Sequence, residues 1–313
     1  MIIARTGEAS PVLGCAWQSI DDEDMATTAA PLGILAGGGG MPIAVAQAAS
    51  DAGRPVHIVA IKGEADETVQ SFDHTWIEWG EVGRMLKAFE HNSCHELVII
   101  GSVTRPDLGQ VRFDLGALRN LPSILALTVG GDDSVLSNVV RFFEAKGFVV
   151  RGAHEIAEDL VLHDGVAGTC QPRPDDMQDI AKAFQVVDAL GAYDVGQATV
   201  VVRGHVLAVE AAEGTDSMLE RAADLRQWGR ARSKKRMGVL AKAPKPAQEL
   251  RVDMPAIGPR TVTLAAEAGL AGLALKSGGV LIAEREATIA EADRLGLFIY
   301  GEPHITPPTH DQD

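Results

Sequence analysis

Two lysines in a proline-containing stretch are the residues best suited to chemistry on a phosphorylated ligand. Lys242 and Lys245 are three positions apart, and Pro244 and Pro246 flank the second lysine. Prolines hold the chain extended, and with three residues per turn the two ammonium groups would lie on one side, about 9 Å apart. Two ammonium groups so placed could converge on one diphosphate. The stretch therefore predicts a diphosphate site.

An aspartate follows these cations after a short interval. Arg251 and Asp253 alternate with Val252, so both side chains would face the same way from an extended segment. A carboxylate among cations is either the partner in a salt bridge or a ligand of Mg²⁺. From spacing alone the salt bridge is the favoured interpretation, because structural ion pairs outnumber catalytic carboxylates.

Four consecutive glycines, Gly37 to Gly40, connect a predicted strand to a predicted helix. Free backbone amides and a helix N-terminus at such a turn hold phosphate or another anion. The dinucleotide pattern G-x-G-x-x-G is not met, because Pro42 or Ile43 takes the place of its third glycine. The next strand also ends without a carboxylate for a ribose diol. The turn therefore favours a mononucleotide or nucleotide sugar over NAD(P), and a tight turn without a ligand is the alternative.

A second loop, at residues 102–107, follows another buried strand, so it lies at the carboxyl end of the predicted sheet, where open α/β folds bind ligands. Ser102 and Thr104 offer hydroxyl groups there. Arg105 offers a planar guanidinium group to a diphosphate or a uracil edge. The alternative interpretation is a solvated loop.

Carboxylates cluster at a predicted strand-to-helix connection that contains Glu210, Glu213 and Asp216. Their oxygens could hold a Mg²⁺ that keeps most of its waters. The alternative is structural, because Thr215 or Asp216 could cap the helix. His154 follows another strand and could act as a base or donate to phosphate, although a merely packed or exposed histidine is more common.

The elements that must position these residues alternate between strands and helices, which predicts a parallel sheet wound right-handed. In the first half we predict strands at 32–36, 56–61, 97–101 and 148–150, and helices at 42–53, 81–91 and 132–147. In the second half we predict helices at 175–190 and 215–226, a hairpin of 198–202 and 206–210, a strand at 238–242 and two further helix–strand pairs. The expected organisation is a loose N-terminal extension at 1–31, a parallel-sheet domain at 32–160 and a mixed α/β domain at 161–305.

The composition supports an α/β protein and disfavours several functions. The 313 residues include 28 basic and 43 acidic side chains, a net charge of −15, which disfavours binding to nucleic acid. Three distant cysteines provide neither a disulfide framework nor a metal pair, so a reducing compartment fits best. Residues 26–50 carry no charge, but their four glycines and Pro42 would break a spanning helix, and acidic residues precede them where a signal peptide needs basic ones. We therefore expect a cytoplasmic protein.

A short basic segment stands out against this negative charge. Its six cations are Arg226, Arg230, Arg232, Lys234, Lys235 and Arg236. A solvated loop or helix end is the default interpretation. Together with Trp228, the segment also fits a patch that rests on anionic lipid headgroups.

Several segments taken together resemble one family. They are AGGGGMP, GSVTRPD, RGAHE, YDVGQ, EAAEGTDSML and, above all, GVLAKAPKPAQELRVDMPAIGP. They resemble the UDP-2,3-diacylglucosamine pyrophosphatases of lipid A biosynthesis, of the LpxI type, over about residues 32–300. The resemblance implies a magnesium-dependent hydrolase that converts UDP-2,3-diacylglucosamine to 2,3-diacylglucosamine 1-phosphate (lipid X) and UMP. It also implies a Rossmann-like N-terminal nucleotide domain and a C-terminal domain of unusual fold, with the lipid held between them.

The resemblance assigns the family's essential aspartate to Asp253, which replaces the salt-bridge interpretation of this residue. Asp253, with Asp216, would hold Mg²⁺, and Lys242 and Lys245 would bind oxygens of the diphosphate. The expected substrate-binding residues are Gly38, Gly39, Gly40, Ser102, Val103, Thr104, Arg105, His154, Gln197, Thr215, Asp216, Gln248 and Arg251.

Two other functions stay open at this point. One is a non-catalytic protein that binds a nucleotide sugar, and a less favoured one is a nicotinamide-dependent oxidoreductase. The expected partners are the nucleotide-activated glycolipid and the inner membrane, with the protein peripheral on the cytoplasmic side and no nucleic acid bound. A homo-oligomer is compatible with the sequence.

Overall fold

The computed structural model describes residues 29–104, 111, 113–119, 132–227, 232–233, 235–246 and 248–303. Most of the predicted N-terminal extension lies outside these residues. So do Arg105 among the expected site residues, and Trp228, Arg230 and Lys234 of the basic segment.

The N-terminal half is built on a five-stranded parallel sheet, as the alternation of elements predicts. Its strands are β1 (Leu32–Ala36), β2 (Val56–Ile61), β3 (His74–Ile77), β4 (Glu96–Ile100) and β5 (Val149–Arg151), in the order β3-β2-β1-β4-β5. β1, β2 and β4 are almost continuous apolar runs because helices cover both faces of the sheet. β3 was not predicted, because its four residues include the polar His74 and Thr75.

Helices lie on both faces of this sheet. They are α1 (Met41–Asp51), α2 (Val82–His91), α3 (Leu115–Arg119), α4 (Asp132–Glu144) and α5 (Ala153–Ile156). α1 and α5 enclose one apolar cluster, and α2 and α4 enclose the other. The strand order reverses between β1 and β4, so the loops that follow these two strands meet at the switch point where open α/β sheets bind ligands.

The C-terminal half contains a mixed six-stranded sheet, in agreement with the predicted fold class. The strands of this half are β6 (Gly165–Ala167), β7 (Ala198–Val202), β8 (His205–Val209), β9 (Val239–Lys242), β10 (Ala256–Ile257), β11 (Gly272–Lys276), β12 (Leu281–Ile282) and β13 (Phe298–Glu302). Six of them form the order β6-β13-β11-β9-β7-β8, and β10 pairs with β12 separately. β9, β11 and β13 run parallel, whereas β6, β7 and β8 are antiparallel to their neighbours.

Four helices cover this second sheet. They are α6 (Pro174–Gly191), α7 (Gly214–Leu225), α8 (Pro259–Glu267) and α9 (Arg285–Leu295). α7, α8 and α9 bury one face of the sheet, and α6 buries the other. No helix in the described ranges is both long and apolar enough to cross a membrane.

The two halves contact each other through segments that precede and follow β10. Arg251 forms an ion pair with Glu144 at the end of α4, at 2.9 Å. Val252 packs against the apolar cluster beneath α2 and α4. Leu281 of β12 forms an isolated bridge with Val161 and joins the cluster beneath α1. The segment that carries Asp253 is therefore anchored on the N-terminal half.

Gly33→Ala tests the packing that fixes β1, the strand that leads into the glycine turn. A Cβ atom at Gly33 would lie 2.5 Å from Leu97 and 2.7 Å from Phe89, both fully buried. We expect this overpacking to lower the free energy of unfolding by about 1–3 kcal/mol, measured by urea denaturation. Gly40→Ala is the matched control, because no atom lies within 4 Å of the added Cβ and the backbone φ is −75°. Equal stability of the two variants would contradict the prediction.

Candidate active site

Lys242 is the last residue of β9, and its ammonium group is almost completely enclosed. The side chain lies in a strand whose other residues are fully buried, so only 6% of Lys242 is exposed. Its Nζ donates a hydrogen bond to Oγ1 of Thr215, at 2.7 Å, in the first turn of α7. The strand predicted at 238–242 is thereby confirmed, and Lys242 is its last residue rather than part of a three-residue-per-turn proline segment.

A partly buried chain of hydrogen bonds continues from Lys242 to Glu210. Thr215 accepts from the ammonium group and donates its own hydroxyl proton to Oε1 of Glu210, at 2.7 Å. The second oxygen of Glu210 accepts the backbone N–H of Gln197, at 3.1 Å. The capping interpretation of Thr215 is wrong, because α7 begins after Glu213 without a side-chain cap. The hydroxyl group instead links a cation to a carboxylate.

Three carboxylates act on the charge of Lys242. Burial lowers the pKa of the lysine, and the negative charges of Glu210, Asp216 and Asp253 oppose that shift by raising it. These residues come from the end of β8, the start of α7 and the segment before β10. The structure thus brings together Lys242, Thr215, Asp216 and Asp253, four of the predicted site residues.

Gln248 connects the other predicted lysine to Asp253. Its side-chain amide donates to Oδ2 of Asp253, at 2.6 Å, and its Oε1 accepts the backbone N–H of Lys245, at 2.8 Å. The ammonium group of Lys245 pairs with Asp194, in the connection after α6. The described contacts of Lys245 therefore lead to Asp194 and, through Gln248, to Asp253, one of the three carboxylates that act on Lys242.

The segment at 249–253 is a turn, not the extended segment that the alternation of Arg251 and Asp253 predicted. The backbone N–H groups of Val252 and Asp253 both donate to the carbonyl of Glu249, at 3.1 and 2.9 Å. Arg251 pairs with Glu249 at 2.7 Å and with Glu144 at 2.9 Å, and these bonds raise the pKa of its guanidinium. Arg251 therefore stabilises the turn, and its guanidinium group already forms ion pairs with two carboxylates.

The carboxylates near Lys242 supply few ligands for a metal ion. Asp216 forms an ion pair with Arg260 at 2.6 Å, and no group of three or more His, Cys, Asp or Glu in the described ranges could hold a metal ion. A complete protein cage is therefore not present there. One or two carboxylates do fit Mg²⁺, which keeps several waters and takes its other ligands from phosphate.

The glycine turn after β1 pairs directly with the loop after β4. The N–H of Gly38 donates to the carbonyl of Ser102 at 2.7 Å, and the N–H of Ser102 donates back at 3.0 Å. A Cβ atom on Gly37 would lie 2.4 Å from that carbonyl oxygen, so only glycine permits the contact. The two loops therefore form one unit at the switch point of the parallel sheet.

Two backbone N–H groups of these loops already donate hydrogen bonds to carboxylates. The N–H of Gly39 donates to Asp66 at 2.9 Å, and the N–H of Thr104 donates to Glu64 at 3.0 Å. The prediction of free amides is therefore wrong for Gly38 and Gly39. Neither carboxylate was predicted at this site, because only the last residues of β2 were considered for a ribose contact. Glu64 and Asp66 lie three and five positions beyond Ile61, the last residue of that strand. Carboxylates at this place suit the hydroxyl groups of a nucleoside better than a phosphate.

The remaining predicted residues are less closely connected to either cluster. His154 lies in α5 with its Nδ1 buried and without a hydrogen-bond partner in the described part of the chain. Val103 is about half exposed in the loop after β4. Gln197 contacts the site through its backbone, which donates to Glu210 and accepts from Ala243. Among the described residues, no side-chain hydrogen bond places these three residues at Lys242.

Comparisons with known proteins cover nearly all of the described chain. Residues 31–160 match the family model of the LpxI N-terminal domain, and residues 163–300 match that of the LpxI C-terminal domain. A curated relative, the UDP-2,3-diacylglucosamine pyrophosphatase LpxI of Caulobacter vibrioides, is 44% identical over 277 residues. The match spans 88% of this chain and 99% of the relative. The resemblance seen in the motifs is thereby confirmed, and the chain belongs to the LpxI family.

Proposed function

We propose that this protein hydrolyses the diphosphate of UDP-2,3-diacylglucosamine to 2,3-diacylglucosamine 1-phosphate and UMP. The name of the Caulobacter relative supports the reaction. The observation that carries the proposal in this chain is the enclosed ammonium group of Lys242, which is linked through Thr215 to Glu210 and lies within the electrostatic influence of Asp216 and Asp253. A buried cation among carboxylates suits a site that must neutralise and orient a diphosphate.

The reaction consumes one water molecule. The water oxygen forms a bond to the phosphorus nearer the sugar, and the bond from that phosphorus to the bridging oxygen breaks. The bridging oxygen leaves with UMP, and the proton lost by the water passes to solvent. Little covalent chemistry is required of the protein, so its contribution is positioning and charge stabilisation.

Lys242 supplies positive charge to the phosphoryl oxygens as negative charge accumulates on them. Because its ammonium group is shielded from water, that interaction is stronger than the same contact at an exposed site. Thr215 and Glu210 keep the ammonium group in one orientation through their hydrogen bonds. Lys245 contributes a second cation once the diphosphate competes with Asp194 for its ammonium group.

Asp253 and Gln248 align the reacting groups. Gln248 holds one oxygen of the Asp253 carboxylate, which fixes the direction in which that carboxylate faces. Asp253 would hold Mg²⁺, with Asp216 as a second ligand if it exchanges its bond to Arg260. A bound Mg²⁺ supplies Lewis-acid neutralisation of the diphosphate.

The nucleoside end of the substrate would lie on the paired loops of the N-terminal half. The amides around Gly38 to Gly40 and the loop from Ser102 to Thr104 border this site, and Asp66 and Glu64 offer acceptors for ribose hydroxyl groups. Such a site would equally suit a protein that binds a nucleotide sugar without turnover. Formation of UMP distinguishes the enzyme from that alternative.

The substrate also implies a place of action. Two acyl chains keep the glycolipid in a bilayer, since each buried CH₂ contributes about 0.8 kcal/mol. We therefore propose that the protein works as a peripheral protein at the cytoplasmic face of the inner membrane.

The wild-type protein is expected to release UMP from UDP-2,3-diacylglucosamine, and Asp253→Asn is expected to lower kcat about a hundredfold or more. The substitution removes the negative charge but keeps the shape that Gln248 contacts. Chromatographic detection of UMP provides the measurement. Asp188→Asn, an exposed position on α6, is the control and should retain full activity. Near-normal turnover by Asp253→Asn would reject the role given to this residue, and absence of UMP with the wild type would reject the enzyme.

Glu210→Gln tests whether Lys242 acts as a cation. The negative charge of Glu210 raises the pKa of Lys242, so its removal lowers that pKa further below the ordinary value for lysine. Since activity requires charged Lys242, the alkaline limb of the profile of kcat/KM against pH should move to lower pH in this variant. Glu220→Gln, an exposed carboxylate on α7, serves as control and should leave the limb in place. An unchanged limb in Glu210→Gln would contradict the assignment.

Removal of divalent cations tests the magnesium proposal. We expect dialysis against EDTA to lower the rate of UMP release about a hundredfold or more, because the charge of the diphosphate is then neutralised by lysines alone. Added MgCl₂ should restore the rate, whereas the same concentration of NaCl should not. Full activity after dialysis would exclude a requirement for Mg²⁺.

A further inference from the structure

A second cationic site lies at the opposite end of α7 from Thr215 and Asp216. Arg226 follows the last residue of this helix, so about 16 Å of helix separates it from Thr215. It also borders the start of β9, whereas Lys242 ends that strand. The two sites are therefore at opposite edges of the six-stranded sheet.

Arg226 is an arginine without a carboxylate partner in the described part of the chain. It is only 7% exposed, and its guanidinium donates to the carbonyl oxygens of Met237, Lys235 and Gly269 at 3.0, 3.2 and 2.9 Å. Burial lowers its pKa, and no acidic group in the described ranges offsets that shift. The three carbonyl groups fix the position of the side chain. Because they carry no net charge, they do not neutralise the positive charge of the guanidinium group.

Arg226 lies in the wall of an open cavity of about 580 Å³. Three exposed cations, Arg232, Lys235 and Arg236, line the same cavity. None of the three forms an ion pair with a carboxylate in the described ranges, and Glu267 is the one acidic residue among those that line the cavity. A structural role, namely binding backbone carbonyl groups near the C-terminal ends of α7 and α8, explains the presence of Arg226 alone. It does not account for three further cations in a chain of net charge −15.

We propose that this cavity, defined by Arg226, Arg232, Lys235 and Arg236, binds a phosphate group at a site separate from the active site. Guanidinium groups offer several N–H donors that match the oxygens of a phosphate, and Lys235 adds a further positive charge. The phosphate belongs either to a free small molecule or to the headgroup of an anionic phospholipid. The proposal does not depend on the proposed hydrolase activity, because binding can be measured without turnover.

The test compares the full chain with a variant that carries Arg232→Gln, Lys235→Gln and Arg236→Gln. These side chains are exposed, so their replacement leaves the core intact, and Arg226 is retained because it holds three backbone carbonyls. The matched control carries Lys87→Gln, Arg203→Gln and Arg294→Gln, three exposed cations at scattered positions with the same change in charge. Urea denaturation verifies that both variants fold.

Two probes distinguish the sources of phosphate. Inorganic phosphate is titrated by calorimetry at constant ionic strength, and vesicles of phosphatidylcholine with phosphatidylglycerol are compared with phosphatidylcholine alone in flotation. We expect the cavity variant to weaken one of the two interactions about a hundredfold relative to the control variant. Weaker binding of inorganic phosphate identifies a free phosphate as the ligand, whereas an effect confined to anionic vesicles identifies a lipid headgroup. Both variants keep the active site, so any phosphate bound there contributes equally to both titrations. The difference in affinity between the two variants therefore reports on the cavity. If neither probe distinguishes the variants, the proposal is overturned.

Discussion

A lysine ammonium group enclosed in a protein requires nearby negative charge, and much of the C-terminal half is arranged around that requirement. Lys242 extends from the end of a fully buried strand, so water cannot solvate its charge. Thr215 accepts its hydrogen bond, and the carboxylates of Glu210, Asp216 and Asp253, from three separate segments, favour its charge. The same enclosure that makes the cation costly in the free protein strengthens its attraction for a diphosphate.

The main constraint in the N-terminal half is different: two loops must approach each other closely at the switch point of the parallel sheet. Glycine at position 37 permits backbone contact with Ser102, and reciprocal bonds with Gly38 join the loops. Asp66 and Glu64 then occupy amides of both loops. The acidic groups give this edge of the sheet acceptors for a hydroxyl-rich ligand, while the cations that suit a diphosphate belong to the other half.

Local sequence patterns predicted most of the fold, but they did not predict contacts between distant segments. β1, β2 and β4 were identified because continuous apolar runs mark strands buried on both faces, whereas β10 and β12 have only two residues each. The motif around Asp253 identified the family. The bond from Lys242 to Thr215 joins residues 27 positions apart, and no local pattern specifies it. The turn at 249–253 was predicted as extended because the prediction used only the alternation of Arg251 and Asp253, whereas the backbone N–H groups of Val252 and Asp253 donate to Glu249. The ion pair of Arg251 with Glu144, a residue of the other half, is likewise not specified by any local pattern.

The ion pair between Arg251 and Glu144 affects how the active-site residues are supported. Asp253 belongs in sequence to the C-terminal half, yet Arg251 and Val252 fasten its turn to α4 and to the apolar cluster beneath it. Lys242, in contrast, is the last residue of β9 in the six-stranded sheet. The carboxylate and the ammonium group therefore belong to segments that are anchored on different halves, so the distance between the two charges depends on how the halves are positioned relative to each other.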